Sequence, residues 1–300
     1  MLRTSRHDTV RFMPGQTPPD ERIPILIIAG PTASGKSARA VEEALARGGE
    51  VISVDSRQVY RGLDIGSEKI TADEMRGVPH HLIDIRNAAE PYSAGDFKKD
   101  AARLIREIHE RGKLPILAGG THFYFDALLH GLPDDAPVDW ERRAELEKLP
   151  NEVLYARVYA ADPRRAAELD PKNPRRLVRA LEMIERYGKV PERPKAAPDS
   201  LPYAAEWIVL DPSRELLRKR LDEREETKFP RGLVDEVRRV REEVGDARLN
   251  ELGLEYRIVG EYLRGERTEE SLLPALSVKL WQYARRQKAW LRKLAAESRA

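Results

Sequence analysis

The chain has no cysteine among its 300 residues. That absence excludes disulfides, thiolate metal centres and a cysteine nucleophile together. No apolar stretch approaches the roughly 20 residues a bilayer-spanning helix needs, so no membrane role is expected. Aromatic residues are sparse at 6%, and 53 Lys and Arg nearly cancel 51 Asp and Glu, leaving a formal net charge of +2. Total charge therefore says little about a nucleic-acid partner; only its distribution can. What is present suits a well-solvated globular protein: 41% hydrophobic residues can build a core, and 35% charged residues cover it. The length allows one large domain or two ordinary ones. Residues 1–22 carry Pro14, Pro18 and Pro19 and no apolar core. They read as a flexible extension rather than a secretory signal, and the expected location is cytoplasmic.

The most specific local signal is Gly30-Pro31-Thr32-Ala33-Ser34-Gly35-Lys36-Ser37, directly after the apolar run Ile25 to Ala29. It has the form of a phosphate-binding loop, GxxxxGK[ST]. Two glycines let the backbone fold back so that successive N–H groups face one anion, and the following helix adds its positive end. Lys36 supplies a full charge, and the Ser37 hydroxyl suits Mg²⁺. A Gly/Ser turn between a strand and a helix is the bland alternative. The commonest use of such a loop is ATP chemistry, so ATP binding is one reading.

A second motif follows the short strand Val51 to Val54: Asp55-Ser56-Arg57-Gln58. In an open parallel sheet the carboxyl ends of the strands face the ligand crevice, which brings Asp55 towards Lys36 and Ser37. A carboxylate there can hold a metal or take a proton. Buried strands are expected at Ile25 to Ala29, Val51 to Val54, His81 to Asp84, Pro115 to Ala118 and Glu206 to Leu210. Amphipathic helices are expected at Ser37 to Arg47 and Ala94 to Arg111, the latter capped by Ser93. Alternation of the two indicates an α/β fold, a P-loop-type parallel sheet flanked by helices. Residues 133–202 show no convincing strand and helices near Trp140 to Lys148 and Arg175 to Arg186, so they read as an inserted helical domain between proline-rich runs at 133–137 and 190–198. The core is then residues 23–132 with 203–300, almost wholly helical after Ser213, with a break near Gly253 and turns at Gly265 and Pro274.

Charge is unevenly placed. Residues 276–300 hold seven Lys or Arg (Lys279, Arg285, Arg286, Lys288, Arg292, Lys293, Arg299) against Glu297 alone. A second basic stretch runs from Arg164 to Lys195. Either is an ordinary solvated helix face or an RNA phosphate footprint. His80-His81 with Asp84 invites a metal reading, but neighbours on a strand point to opposite faces, and loop packing beside the crevice fits better. Trp281, Tyr283 and Trp290 are expected to pack rather than stack on bases.

Six blocks together resemble one family, the tRNA dimethylallyltransferases or tRNA isopentenyl transferases: GPTASGKS at 30–37, DSRQVYRGLDIGSEK at 55–69, PHHLID at 79–84, GGTHFYFDALLHGL at 119–132, NPRRLVRALE at 173–182 and YARRQKAWLRK at 283–293. They keep the family's order and span most of residues 25–293. The resemblance implies that the bound diphosphate belongs to dimethylallyl diphosphate and that the acceptor is N6 of adenosine-37, beside the anticodon, in tRNAs reading codons that start with U. Free adenine nucleotides are the acceptors of relatives sharing these motifs, and a kinase or RNA-binding module is the reading from the loop alone.

It also implies roles. Asp55 is similar to the family's catalytic aspartate, the base for a weakly nucleophilic N6. Lys36, the cradle amides and Mg²⁺ on Ser37 would offset charge on the leaving diphosphate. Thr121 would contact the bridging oxygen. Ser56 and Gln58 would match the edges of adenine, unless they merely order the loop. Arg57, Arg142, Arg175, Arg176, Leu177, Val178 and Arg179 complete the expected tRNA contacts; Arg176 or Arg179 would close the anion cage, unless paired to Glu182 or Glu185. The anticodon stem-loop would lie between the insert and the basic C-terminal helix, on a monomer. The chain departs from the family pattern at His122-Phe123, at Thr227 to Pro230 and at Leu254 to Arg257.

Overall fold

The computed structural model describes residues 22–132, 138–192 and 202–297, with side chains to residue 291. The expected extension and most of the two proline-rich runs lie outside the described residues. In chain order the elements are β1 (Ile23–Ala29), α1 (Lys36–Arg47), β2 (Gly49–Val54), α2 (Ala72–Met75), β3 (His80–His81), α3 (Ala94–Glu110), β4 (Leu114–Gly119) and α4 (His122–His130). There follow α5 (Trp140–Leu146), α6 (Asn151–Ala161), α7 (Pro163–Glu168), α8 (Pro174–Tyr187), β5 (Tyr203–Val209), α9 (Arg214–Lys228), α10 (Leu233–Leu249), α11 (Leu254–Leu263) and α12 (Leu272–Glu297).

The strands form one parallel sheet of order β3-β2-β4-β1-β5, the α/β class expected. Strand β2 is buried along its whole length, as a parallel strand covered on both faces must be. Phe97, Ile105 and Phe125 from α3 and α4 cover one face of the sheet, and Ala40, Val41 and Ala44 from α1 cover the other. Direction reverses between β1 and β4, which are neighbours in space although β2 and β3 intervene in sequence. A crevice opens at such a switch point, above the carboxyl ends of the strands. Helix α3 begins at a capping box in which Ser93 and Asp96 each bond the other's backbone N–H, at 3.2 and 2.8 Å.

Three local expectations need correction. Strand β3 is only two residues long, because Leu82 and Asp84 adopt left-handed backbone with φ of 62° and 54° and end the pairing. Pro274 makes no turn; it lies in the first turn of α12, where its missing N–H costs nothing. His80 and His81 are strand rather than loop, and they meet different partners as strand alternation requires. The His80 ring bonds the Val78 carbonyl at 2.8 Å, and the His81 ring bonds Glu50 at 2.7 Å, a carboxylate also held by Arg111.

Residues 138–192 form a helical module with a core of their own, including Leu154, Val158, Leu177, Val178 and Leu181. The C-terminal helices α10 to α12 bury Val237, Val240, Tyr256 and Leu276 against Val59, Tyr60 and Leu63, and so grip the loop that follows Asp55.

Candidate active site

The loop from Gly30 to Ser37 folds as its sequence requires. Ala33 and Gly35 both take positive φ, 61° and 90°, and the alternation turns consecutive amides towards one point in front of α1. Gly30 is obligatory for a different reason: a Cβ there would come within 2.9 Å of the Leu210 carbonyl. A cavity of about 500 Å³ opens in front of this loop, lined by Thr32, Ala33, Ser34, Gly35, Lys36 and Ser37 and, across from them, by Asp55 and Gln58.

The charges around this cavity are unbalanced. Lys36 donates to the Pro31 carbonyl at 2.6 Å. Burial pushes its ammonium down to about 8; Asp55 works against that shift and the neighbouring Arg224 adds to it. Arg224, on α9, also lines the cavity; its buried Nε has no hydrogen-bond partner, and the closest carboxylate oxygen, on Glu225, is 3.5 Å away. Arg231 reaches the same cavity but is paired with Glu68 at 3.2 Å. Two poorly compensated cations beside a ring of amides make a site for an anion of more than one charge.

Asp55 follows the last residue of β2. Its Oδ1 accepts from the N–H of Arg57 at 2.8 Å and of Gln58 at 3.3 Å, while among the described residues no hydrogen bond engages Oδ2. One oxygen thus orients the carboxylate and the other is left for chemistry. Thr121 caps β4 on the far side: its N–H donates to the Val54 carbonyl and its hydroxyl accepts the Ser56 N–H, both at 3.1 Å. The turns after β2 and β4 are therefore stitched together.

Gln58 is occupied. Its Nε2 donates to the Glu68 carbonyl at 3.1 Å and its Oε1 accepts from the Ser53 hydroxyl at 3.3 Å, so the amide orders the loop while Gln58 still lines the cavity. That loop is anchored further by Glu236 of α10, which is 3% exposed. Its carboxylate accepts from the N–H groups of Asp64, Ile65 and Gly66 and from the Tyr256 hydroxyl, all at 2.8–3.0 Å. Lys69 adds bonds to the Tyr60 carbonyl, Asp64 and Asp84.

None of the described residues of the insert lines the cavity, and the side chains expected to touch RNA fall into three groups. Leu177 and Val178 are buried in its core, so their expected RNA contact is corrected: they support a surface rather than form one. Arg142 and Arg179 are paired, the first with Glu185 and Glu145 and the second with Glu182. Arg175 and Arg176 are exposed. The arginines that line the cavity among the described residues are Arg224 and Arg231, not Arg176 or Arg179. In α12, Arg285 and Arg286 are exposed, but Lys288 is held by Asp211 at 2.6 Å and the Pro212 carbonyl at 2.7 Å. Trp290 stacks on His122 at 4.7 Å and Trp281 lies under Arg214 and Arg218, so both pack as expected. Tyr283 faces Asp55 and Arg57, with its hydroxyl pushed up to about 12 chiefly by burial.

Two segments that depart from the family pattern meet each other. The wholly buried Lys228 ammonium lies 2.9 Å from Glu225 and 2.9 Å from Glu255, and donates to the Gly66 carbonyl at 3.4 Å. Burial raises the Glu225 carboxyl; burial would also raise Glu255, but Lys228 outweighs it and holds that carboxyl low. The three charges depend on one another, because any one of them buried alone would be destabilising.

Fold and site define a phosphate-loop α/β protein whose anion cradle faces an oriented carboxylate across the switch point of a parallel sheet. The family model described as IPP transferase matches residues 58–294. A protein of Thermomicrobium roseum named tRNA dimethylallyltransferase is 42% identical over 282 residues, covering 92% of this chain and 85% of its own. One of the same name from Halalkalibacterium halodurans is 41% identical, covering 89% and 88%. Among solved structures, the full-length tRNA isopentenylpyrophosphate transferase of Bacillus halodurans superposes with a TM-score of 0.67 at 39% identity, covering 90% of this chain and 87% of that one. A eukaryotic dimethylallyltransferase acting on tRNA gives 0.75 at 29% identity, covering 89% and 69%. The chain belongs to the IPP transferase family.

Proposed function

We propose that this protein transfers a dimethylallyl group from dimethylallyl diphosphate to N6 of adenosine-37 in tRNAs reading codons that start with U. The observation that carries the reading is the pairing of an undercompensated cradle, Lys36 with Arg224, and an oriented Asp55 on the facing turn. Close relatives carrying the name tRNA dimethylallyltransferase support the substrates.

The cradle amides of residues 33–37, Lys36 and Arg224 hold the diphosphate. As the N6 lone pair bonds the allylic carbon, the carbon–oxygen bond breaks and its electron pair leaves on the diphosphate, whose growing charge those groups neutralise. The N6 proton passes to Oδ2 of Asp55. Thr121, whose hydroxyl accepts the N–H of Ser56 next to Asp55, would contact the bridging oxygen. A magnesium ion would be held on the protein side by the Ser37 hydroxyl. Such an ion, when bound, supplies further charge neutralisation at the diphosphate. Adenosine-37 must leave the anticodon stack to reach Asp55, at a cost of a few kcal/mol. Exposed Arg175 and Arg176 on the insert and Arg285 and Arg286 on α12 supply the RNA contacts that offset it. A tRNA substrate puts the work in the cytoplasm, and one chain carries every group named, so a monomer suffices.

The test is incubation with labelled dimethylallyl diphosphate and either bulk tRNA or AMP. Label on adenosine-37 of tRNA is the expected result. Label on AMP alone, or on neither, overturns the reading.

A further inference from the structure

The last family-like block, YARRQKAWLRK, lies in α12 and contains a side chain for which the reaction has so far no use. Gln287 is 2% exposed, and its carboxamide lies between two loops of the site. Oε1 accepts from the Thr32 N–H of the phosphate loop at 2.9 Å, and Nε2 donates to the Gly120 carbonyl, next to Thr121, at 2.9 Å. An N–H on one side and a carbonyl on the other allow only one orientation of the amide. The slot fits closely: a Cβ on Gly120 would come within 2.7 Å of Nε2. The small cavity beside the carboxamide is lined by Ala29, Phe125 and Leu291 together with His122, and at 2% exposure the amide is held away from water, so each of these hydrogen bonds is stronger than its counterpart in water.

Gln287 closes a chain of contacts. The turn it holds at Gly120 is itself bonded, through the Thr121 hydroxyl, to the Ser56 N–H beside Asp55. The path therefore runs from the cradle at Thr32 through Gln287 to the turn that carries Thr121, and from there to the base. We propose that Gln287 is a positioning residue for group transfer: it touches no substrate but fixes the distance and angle between the diphosphate cradle and the Thr121–Asp55 side of the site. The inference rests on the prenyl-transfer reading above. Displacement at the allylic carbon needs nucleophile and leaving group in line, and small misplacements of either cost rate steeply.

The experiment compares Gln287→Met, which keeps the length and loses both bonds, with Gly120→Ala, which forces the carboxamide out of its slot while leaving Gln287 in place. Both are assayed for labelled dimethylallyl transfer to tRNA, for inorganic pyrophosphate binding by calorimetry, for tRNA affinity and for unfolding midpoint. The expected result for Gln287→Met is a kcat lower by about tenfold or more, pyrophosphate bound a few-fold more weakly, and tRNA affinity unchanged. The double variant should lose little more than the worse single, because both changes break the same contact. A folded Gln287→Met enzyme with kcat and pyrophosphate affinity within twofold of the parent overturns the proposal, as does full multiplication of the two losses in the double variant. If Gln287→Met does not fold, Gly120→Ala decides alone, by the same kcat and pyrophosphate criteria. Failure of the unaltered protein to label tRNA would count against the function, not against this residue.

Discussion

The cradle and the insert use arginine and lysine in opposite ways. In the insert, Arg142, Arg143 and Arg179 are neutralised by Glu145, Glu182 and Glu185 on the same module, two of those pairs being bidentate. In the cradle, Lys36 and Arg224 face each other with little compensation, and burial keeps Lys36 short of solvent. Paired charges on an exposed helix stiffen a module and add little stability. Undercompensated charges in a cavity are destabilising until a ligand arrives. The difference shows that abundance of basic residues does not mark a binding site; incomplete compensation inside a cavity does.

The sharpest way to break this contrast is at Asp55. Asp55→Ala should lower turnover by about three orders of magnitude, the middle of the range for a general base, while tRNA binding stays nearly intact. Retained turnover in a single-turnover assay would remove Asp55 from the base role. Lys36 gives the next largest effect: Lys36→Met should lower kcat/KM for dimethylallyl diphosphate about a hundredfold. Because the free ammonium titrates near pH 8, it is charged below that value and neutral above it. The ratio of parent to Lys36→Met affinity for inorganic pyrophosphate, in which the ligand's own ionisations cancel, should therefore be flat below pH 8 and fall as pH rises through 8, by up to about tenfold per unit. Calorimetry from pH 6 to 10 would show it, and a flat profile would mean that Lys36 is not the charge being used.

Glu236 tests the scaffold behind the cradle. Glu236→Ala leaves three loop N–H groups and the Tyr256 hydroxyl without their acceptor, which should cost about 3 kcal/mol in urea unfolding. The smallest effects belong to the surface. Neutralising exposed Arg175 and Arg176 should flatten the salt dependence of tRNA binding by nearly two units of log–log slope, whereas Arg142→Ala, already paired, should leave it unchanged. Equal effects from both would erase the distinction between paired and unpaired cations. Lys288→Ala should weaken the fold rather than RNA binding, since its charge is spent on Asp211.

Much of the architecture was legible in the chain because its signals are local. Three of the five strands, β1, β2 and β4, are the largely buried runs expected between turn residues, whereas β3 is shorter and β5, expected buried at Glu206 to Leu210, runs Tyr203–Val209 with only Tyr203 buried. Ser93 and Ser213 cap the helices that follow them. Asp55 could be placed opposite Lys36 from topology alone. The helix pair Asn151–Ala161 and Pro163–Glu168 was missed, since the first has apolar residues on every side and no amphipathic period to detect. Arg224 gave no signal either: it stands in a charged helix among many arginines, and only its position beside the cradle distinguishes it.

The sequence by itself determined the anion cradle, the order of strands and helices, and the motif that supplies the carboxylate, because each depends on residues within a few positions of one another. Tertiary structure alone decided which cations stay unpaired, that Gln58 is bound into its loop, and that Lys228 and Glu255 form one buried ion pair. It also brought Gln287 to Thr32 across 255 positions of chain and Glu236 to Asp64 across 172. Such contacts leave no periodicity in the sequence: they arise where helices from the far end of the chain pack against the strand ends, and only packing selects which side chain lands there.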